Sequence, residues 1–220
     1  MLLANRTVAT EFGKKQRNSN GDAKTFIYRI HDLPDGDKLN QMGAFIRRFG
    51  YHFKNATEAS TISKNLNAVI EASQDKPEAT LIQTMAVRTM ARAEYSTENI
   101  GHYGLAFEYY THFTSPIRRY PDLLVHRLVA RYMAGEGSVP QAEYEAYAQH
   151  CSDQEQVAAK AERDSVRYKQ VEYMSTRLGK VFDGVISNVA EWGFYVELTH
   201  SHCEGLVPMR LLNDDFYDYD

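Results

Sequence analysis

The sequence predicts an α+β protein in which a largely helical part precedes a small β-module. Apolar residues recur at helical spacing through most of the chain up to residue 178, whereas apolar and polar residues alternate, as in strands, from Gly179. The 220 residues are 43% hydrophobic and 25% charged, which is typical of a folded globular chain. Apolar runs are only a few residues long, so we expect no membrane association.

The helical part is predicted to begin with Leu2–Lys15, in which Leu3, Val8 and Phe12 are core positions. A short strand over 26–30 and a loop follow. Further helices are predicted over 38–49, 58–73, 77–93, 121–133 and 141–178, the last as one long helix or two shorter ones, with extended segments and turns over 94–120. In the helix at 121–133, the residues expected to form the buried face are Leu124, Val125, Leu128, Val129 and Tyr132.

The β-module is predicted to contain strands at 180–186 and 192–198, joined by a turn around 188–191, and a third strand at 204–208. Residues 181–220 carry eight acidic residues and one arginine, whereas the preceding residues carry 24 basic and 21 acidic ones. The net charge of −4 taken alone argues mildly against a nucleic-acid partner, but this asymmetry shows that the two parts need separate interpretation.

Two cysteines, Cys151 and Cys203, cannot make a disulfide framework, which favours a reducing compartment and predicts a cytoplasmic protein. The first residues become polar too early for a secretory signal. No capping residue precedes the helix at Met1, and the β-module stops at Asp220 without a recognisable finish. We therefore expect the chain to be a fragment of a longer protein.

The strongest functional signal is the run Tyr110–Arg127 (YTHFTSPIRRYPDLLVHR). Pro116 and Pro121 hold Arg118 and Arg119 on a short, stiff segment at a helix N-terminus. Free amides and the helix dipole favour an anion at such a terminus, and guanidinium groups bind phosphate in a bidentate manner. The segment therefore predicts a phosphate site. The alternative is that the arginines are solvated or paired with acids.

Neighbouring side chains extend this hypothesis to RNA. Thr114 and Ser115 offer hydroxyl donors, while His112, Phe113 and Tyr103 offer rings on which bases or riboses can pack. Ser115 lacks a glycine-flanked nucleophile elbow, so we do not expect it to act as a nucleophile.

No metal site is expected from the histidines. His102, His112 and His126 have no short ligand spacing and are interpreted as structural. The run His200–Cys203 is closer to a zinc pattern, but a second pair of ligands does not accompany it, so we do not expect zinc there.

His102–Ala106 together with Tyr110–Arg127 resembles the signature of the RNB family of exoribonucleases, which includes ribonucleases II and R. Met1–Asn5 is similar to a helix of that catalytic domain, and 161–174 to the helix that leads out of it. The strands from Gly179 resemble an OB-fold RNA-binding module. Within the family, the residues Thr114–Arg119 are most similar to the ribonuclease R branch.

The resemblance implies the C-terminal part of an RNB catalytic domain at 1–177, which includes a connecting helix at 141–177, and an incomplete five-stranded OB-fold barrel at 178–220. It implies hydrolysis of single-stranded or structured RNA from the 3′ end to nucleoside 5′-monophosphates. It also implies a monomer and Mg²⁺ as cofactor of the full-length enzyme.

Arg118 matches the catalytic arginine of the family, which clamps the phosphate. The residues expected to contact RNA are Tyr103, His112, Thr114, Ser115, Arg119, Glu162, Phe182, Trp192 and Phe194. The family's metal ligands form an aspartate-rich motif that ends in Asp-Asp-Ala, and neither the aspartates at 32–37 nor those at 214–220 follow it. We therefore expect no metal ligands in this chain and no nuclease activity of the chain alone.

Two alternative functions remain open at this point. The first is a non-catalytic RNA-binding protein that retains the RNB scaffold. The second is a helical adaptor with an appended β-module, which predicts no salt-dependent affinity for RNA.

Overall fold

The computed structural model describes residues 1–17, 21–54 and 56–212, and confirms the predicted α+β class. The chain divides into two compact units, Met1–Glu155 and Gln156–Asp220. The expected domain boundary at 177/178 stays a prediction. In the described ranges, no helix combines the length and the apolar character that crossing a bilayer requires.

The first unit contains helices, one two-stranded sheet and a short 3₁₀ turn. Its elements are α1 (Leu2–Val8), β1 (Tyr28–His31), α2 (Gly36–Arg47), α3 (Ala59–Ser73), α4 (Ala79–Thr89), β2 (Ala93–Ser96), the 3₁₀ turn Tyr103–Leu105, α5 (Tyr120–Met133) and the beginning of α6 (Gln141–Ser175). Strands β1 and β2 are antiparallel, with Tyr28 opposite Ser96.

Helix α1 continues directly into a π-helical segment, Ala9–Lys14. Gly13 lies in this segment against the Tyr28 ring, where a Cβ atom would come within 2.6 Å of the phenol oxygen. The predicted core position Leu3 is wrong, because this side chain is 75% exposed and Asn5 is buried instead. The sequence pattern could not reveal this, since a buried asparagine breaks the apolar periodicity.

The buried face of α5 packs on the sheet in a strand cluster. This cluster consists of Phe26, Ile27, Tyr28, Tyr95, Leu124, Val125, Leu128, Tyr132, Ala148 and Cys151. The predicted buried face is thus confirmed, with Val129 at its edge. The beginning of α6 is joined to β2 by hydrogen bonds, because Ser152 Oγ accepts from the Tyr95 N–H at 2.9 Å and the Glu145 carboxylate accepts from the Thr97 N–H at 2.6 Å.

Helices α2, α3 and α4 form a separate three-helix cluster. Its buried residues are Leu39, Met42, Ile46, Tyr51, Phe53, Ile62, Leu66, Val69, Ile82 and Ala86. The Asp35 side chain caps α2 by accepting from the backbone N–H groups of Asp37 and Lys38. The predicted helix over 77–93 is too long, because Met90 is extended and Ala93 already belongs to β2.

The second unit contains the remainder of α6 and a three-stranded antiparallel sheet, β3 (Gly184–Ala190), β4 (Gly193–Leu198) and β5 (Glu204–Pro208), in that order. The predicted turn at 188–191 is wrong, since β3 continues to Ala190 after an irregularity between Ile186 and Asn188. Residues 213–220, which hold the expected acidic tail, lie outside the described residues.

Gly193 begins β4 with a φ of +149°, and a Cβ atom there would clash with the Val207 carbonyl oxygen on β5. Only glycine fits this close approach of two backbones. The glycine therefore permits the tight turn at Glu191–Trp192 between β3 and β4.

Leu128→Ala tests the contribution of the α5 face to stability. Leu128 is 1% exposed, so its truncation leaves a cavity and should lower the free energy of unfolding by about 2–5 kcal/mol. Met133 lies on the same helix and is 74% exposed. Met133→Ala should therefore change the free energy of unfolding by less than about 0.5 kcal/mol. Urea unfolding followed by circular dichroism measures both. Equal losses in the two variants would contradict the described packing.

Candidate functional site

The loop Ser115–Arg119 precedes α5 and is closed by its own backbone. The Ser115 carbonyl accepts from the Arg119 N–H at 3.0 Å and from the Arg118 N–H at 3.3 Å. Pro116 directly follows Ser115, and a residue before proline favours extended geometry. Pro121 lies in the first turn of α5. The expected short, rigid segment at a helix N-terminus is therefore present.

The two arginines of this loop differ in their surroundings. Arg119 is half-buried, and its Nη2 lies 2.8 Å from Oδ1 of Asp122, which is 0% exposed. Arg118 is exposed, and its Nη2 lies 3.5 Å from Ser115 Oγ. The acid-paired alternative therefore applies to Arg119, and the solvent-facing guanidinium belongs to Arg118.

His112 lies beside the loop as a neutral side chain. Its Nδ1 is 2.8 Å from the Tyr95 phenol oxygen. Burial, helped by the nearby charges of Arg119 and Arg29, lowers the pKa of His112 to about 4. Burial likewise raises the pKa of Tyr95 to about 12. Both groups are thus uncharged at neutral pH, and His112 is suited to hydrogen bonding and ring packing, with no contribution of positive charge.

Asn5 fixes the segment that leads to Thr114, which is half-buried. Its Oδ1 accepts from the Phe113 N–H and its Nδ2 donates to the Tyr110 phenol oxygen, both at 3.1 Å. The His126 ring stacks on Phe113 with centroids 4.0 Å apart and donates from Nε2 to the Phe113 carbonyl. Sequence reasoning missed this role of Asn5, and its one signal was the resemblance of the first five residues to a family helix.

Tyr103 lies in a different part of the first unit. It is half-buried, accepts a hydrogen bond from Ser63 Oγ at 3.0 Å, and lines a cavity of about 620 Å³. A row of aromatic rings connects this cavity with the loop region. His102 also lines the cavity. The ring centroids of His102 and Tyr110 are 5.4 Å apart, and those of Tyr110 and His112 are 5.7 Å apart.

The other expected RNA contacts lie in the second unit. Glu162 is exposed on α6. Trp192 is 62% exposed at the turn between β3 and β4, and Phe182 is 41% exposed just before β3. Phe194 is half-buried on β4, opposite Val189. These side chains are accessible to a ligand, and their roles stay predictions.

The metal ligands implied by the resemblance are not provided by the described residues. No group of three or more His, Cys, Asp or Glu side chains in those ranges is arranged to hold a metal ion. His202 Nδ1 instead lies 2.6 Å from Glu197 Oε1. The described residues therefore do not offer the set of ligands that a Mg²⁺ ion would need.

Comparison with curated proteins identifies relatives along the whole chain. Ribonuclease R of Aquifex aeolicus is 41% identical over 227 aligned residues, which cover 100% of this chain and 30% of the relative. Ribonuclease R 1 of Lactococcus lactis is 39% identical, and the alignment covers 100% of this chain and 26% of the relative. The chain thus spans less than a third of the length of these relatives.

Structural comparison gives the same result. The structure of Mycoplasma genitalium RNase R in complex with ribose-methylated single-stranded RNA matches with a TM-score of 0.83 and 25% identity, over 100% of this chain and 34% of that one. The family model of the RNB domain matches residues 1–135, which include the loop Ser115–Arg119 and the whole of α5. This chain therefore belongs to the RNB domain family.

Proposed function

We propose that this chain is the phosphate-binding part of a hydrolytic exoribonuclease, which degrades single-stranded RNA from the 3′ end to nucleoside 5′-monophosphates. The observation that carries the proposal is the exposed Arg118 guanidinium on the closed loop at the start of α5. The M. genitalium relative that shares this fold was solved with single-stranded RNA, which supports RNA as the partner.

In this proposal, Arg118 binds the phosphate next to the bond that is cleaved. A guanidinium can donate two parallel hydrogen bonds to phosphate oxygens, and it stabilises the charge that develops on them in the transition state. The positive charge of Arg119 is compensated by Asp122, so the charge that the loop presents to a ligand comes from Arg118. The positive end of the α5 dipole adds to the attraction for an anion.

The second unit supplies aromatic surface for the same RNA strand in this proposal. Trp192, Phe182 and Phe194 offer rings for base stacking, which contributes about 1–3 kcal/mol per base and tolerates any sequence. Glu162 would lie near the 3′-terminal nucleotides. The proposed enzyme acts as a cytoplasmic monomer, and its Mg²⁺ requires ligands outside the described residues.

The alternative is a non-catalytic RNA-binding protein on the same scaffold. An aspartate-rich motif ending in Asp-Asp-Ala elsewhere in the same polypeptide would indicate the enzyme, whereas a degenerate motif would indicate the binding protein.

The 220-residue chain alone should release no mononucleotides from poly(A) in the presence of Mg²⁺. The reason is that the described residues present no ligand group for the metal on which the family's chemistry depends. Chromatography of the reaction products measures the release. Processive formation of adenosine 5′-monophosphate by this chain, lost in Arg118→Ala, would contradict the prediction.

Arg118→Ala should slow cleavage strongly while RNA binding persists. The test uses a chimera in which this chain replaces the matching segment of A. aeolicus ribonuclease R. Loss of a donor to the transition state should lower kcat about 100-fold, with KM and the Kd for RNA changing by about threefold or less. Single-turnover and steady-state assays on 5′-labelled oligo(A) measure these constants.

Arg88→Ala is the matched control for this variant, because Arg88 is an exposed arginine on α4 and its loss changes the net charge equally. It should keep kcat within about twofold of the unsubstituted chimera. Equal losses of kcat and of RNA affinity in Arg118→Ala would indicate simple phosphate anchoring, and an unchanged kcat would contradict the role of Arg118.

A further inference from the structure

Asp122 is a carboxylate that is completely buried at the start of α5. It is the third residue of the helix, it is 0% exposed, and its Oδ1 accepts from both Arg119 Nη2 and the Ser115 N–H, each at 2.8 Å. Burying a carboxylate costs free energy unless a partner compensates the charge. The two donors supply that compensation and tie Asp122 to both ends of the loop.

This arrangement is poorly explained by stability alone. Asp122 Oδ2 and Arg119 Nε are buried without a hydrogen-bond partner in the part of the chain that the structure describes. A buried ion pair contributes little net stability even when every polar atom is satisfied, and apolar replacements are often as stable. The pair is therefore better explained by the geometry that it imposes on the loop.

That geometry fixes the base of the Arg118 side chain. The Ser115 N–H is held by Asp122, and the Ser115 carbonyl is held by the backbone N–H groups of Arg118 and Arg119. With both of its backbone groups bonded and Pro116 next in the chain, Ser115 has little freedom to move. Arg118 therefore leaves the loop from a fixed backbone position, and its side chain remains exposed.

Asp122 also separates the roles of the two adjacent arginines. It draws the Arg119 guanidinium inward, where 23% of that side chain stays exposed. Without this partner, Arg119 would be a second cation at the same helix terminus and would compete with Arg118 for one phosphate. The carboxylate thus leaves a single guanidinium in a defined position.

We propose that Asp122 is a positioning residue, which acts through the Ser115 amide and Arg119 to set the place of Arg118 against the RNA phosphate. The proposal rests on the function proposed above. A displacement of about 1 Å in a positioning element can cost about 100-fold in rate, so even a partial shift of the loop should be measurable.

The test is a double-mutant cycle in the same chimera. Asp122→Asn should lower kcat at least about tenfold and change KM by about threefold or less, because the loss concerns orientation and leaves ground-state binding nearly intact. In the Arg118→Ala background, the same substitution should lower kcat by about twofold or less, since there is no longer a guanidinium to position. Single-turnover assays on 5′-labelled oligo(A) measure all four proteins.

A core variant separates positioning from loss of stability. Leu66→Ala truncates a residue of the three-helix cluster that is 3% exposed, so it should destabilise the fold without contact to the loop. It should keep kcat within about twofold at a temperature where both variants are folded. In the 220-residue chain, hydrogen exchange of the Ser115 amide should accelerate in Asp122→Asn and remain unchanged in Leu66→Ala.

The outcomes distinguish this inference from the proposed function. The positioning role would be overturned if Asp122→Asn lowered kcat equally with Arg118 present and with Arg118→Ala, or if it left kcat unchanged. An equal loss of kcat in Leu66→Ala would overturn it as well. If Arg118→Ala by itself leaves cleavage unchanged, the function proposed for the loop fails and the positioning role fails with it. If Asp122→Asn lowers kcat only when Arg118 is present, and the Ser115 amide then exchanges faster, both the proposed function and the positioning role are supported.

Discussion

The buried Asp122 carboxylate is the interaction on which the arrangement of this site depends. A buried carboxylate needs hydrogen-bond donors. Asp122 accepts from Ser115 and Arg119, and these two bonds close the loop before α5. Burial likewise keeps His112 uncharged. As a result, Arg118 supplies the positive charge of the loop that faces solvent, although the sequence places two arginines side by side.

The packing beneath the loop explains why it can hold this conformation. α5 is anchored by its apolar face in the strand cluster, and Asn5 and His126 hold Phe113 on the preceding segment. The loop is therefore fixed at both of its ends by buried groups. Such support by rigid elements is what a residue that stabilises a transition state requires. The three-helix cluster is a separate core, which makes it a useful reference for stability effects.

Much of the fold followed from periodicity, because apolar spacing and prolines mark the helices and alternation marks the strands. The face of α5 that includes Leu128 was predictable for this reason. The exposure of Leu3 was not predictable, because the burial of Asn5 breaks the apolar periodicity. The position of the turn after β3 was not predictable either, because the irregularity in β3 leaves no regular alternation. Residue chemistry alone could not separate Arg118 from Arg119, and only the resemblance to the RNB family singled out Arg118. Their spacing from Asp122 allows a pair, but which guanidinium turns inward depends on burial that only the packed structure provides.

Trp192 has a spectroscopic consequence. It is the single tryptophan of the sequence, and its indole is 62% exposed at the turn that Gly193 permits in the second unit. Intrinsic tryptophan emission therefore reports on the surroundings of this one residue of the β-module. A nucleic acid that stacks on Trp192 should quench this emission, so a fluorescence titration can observe binding at the β-module directly.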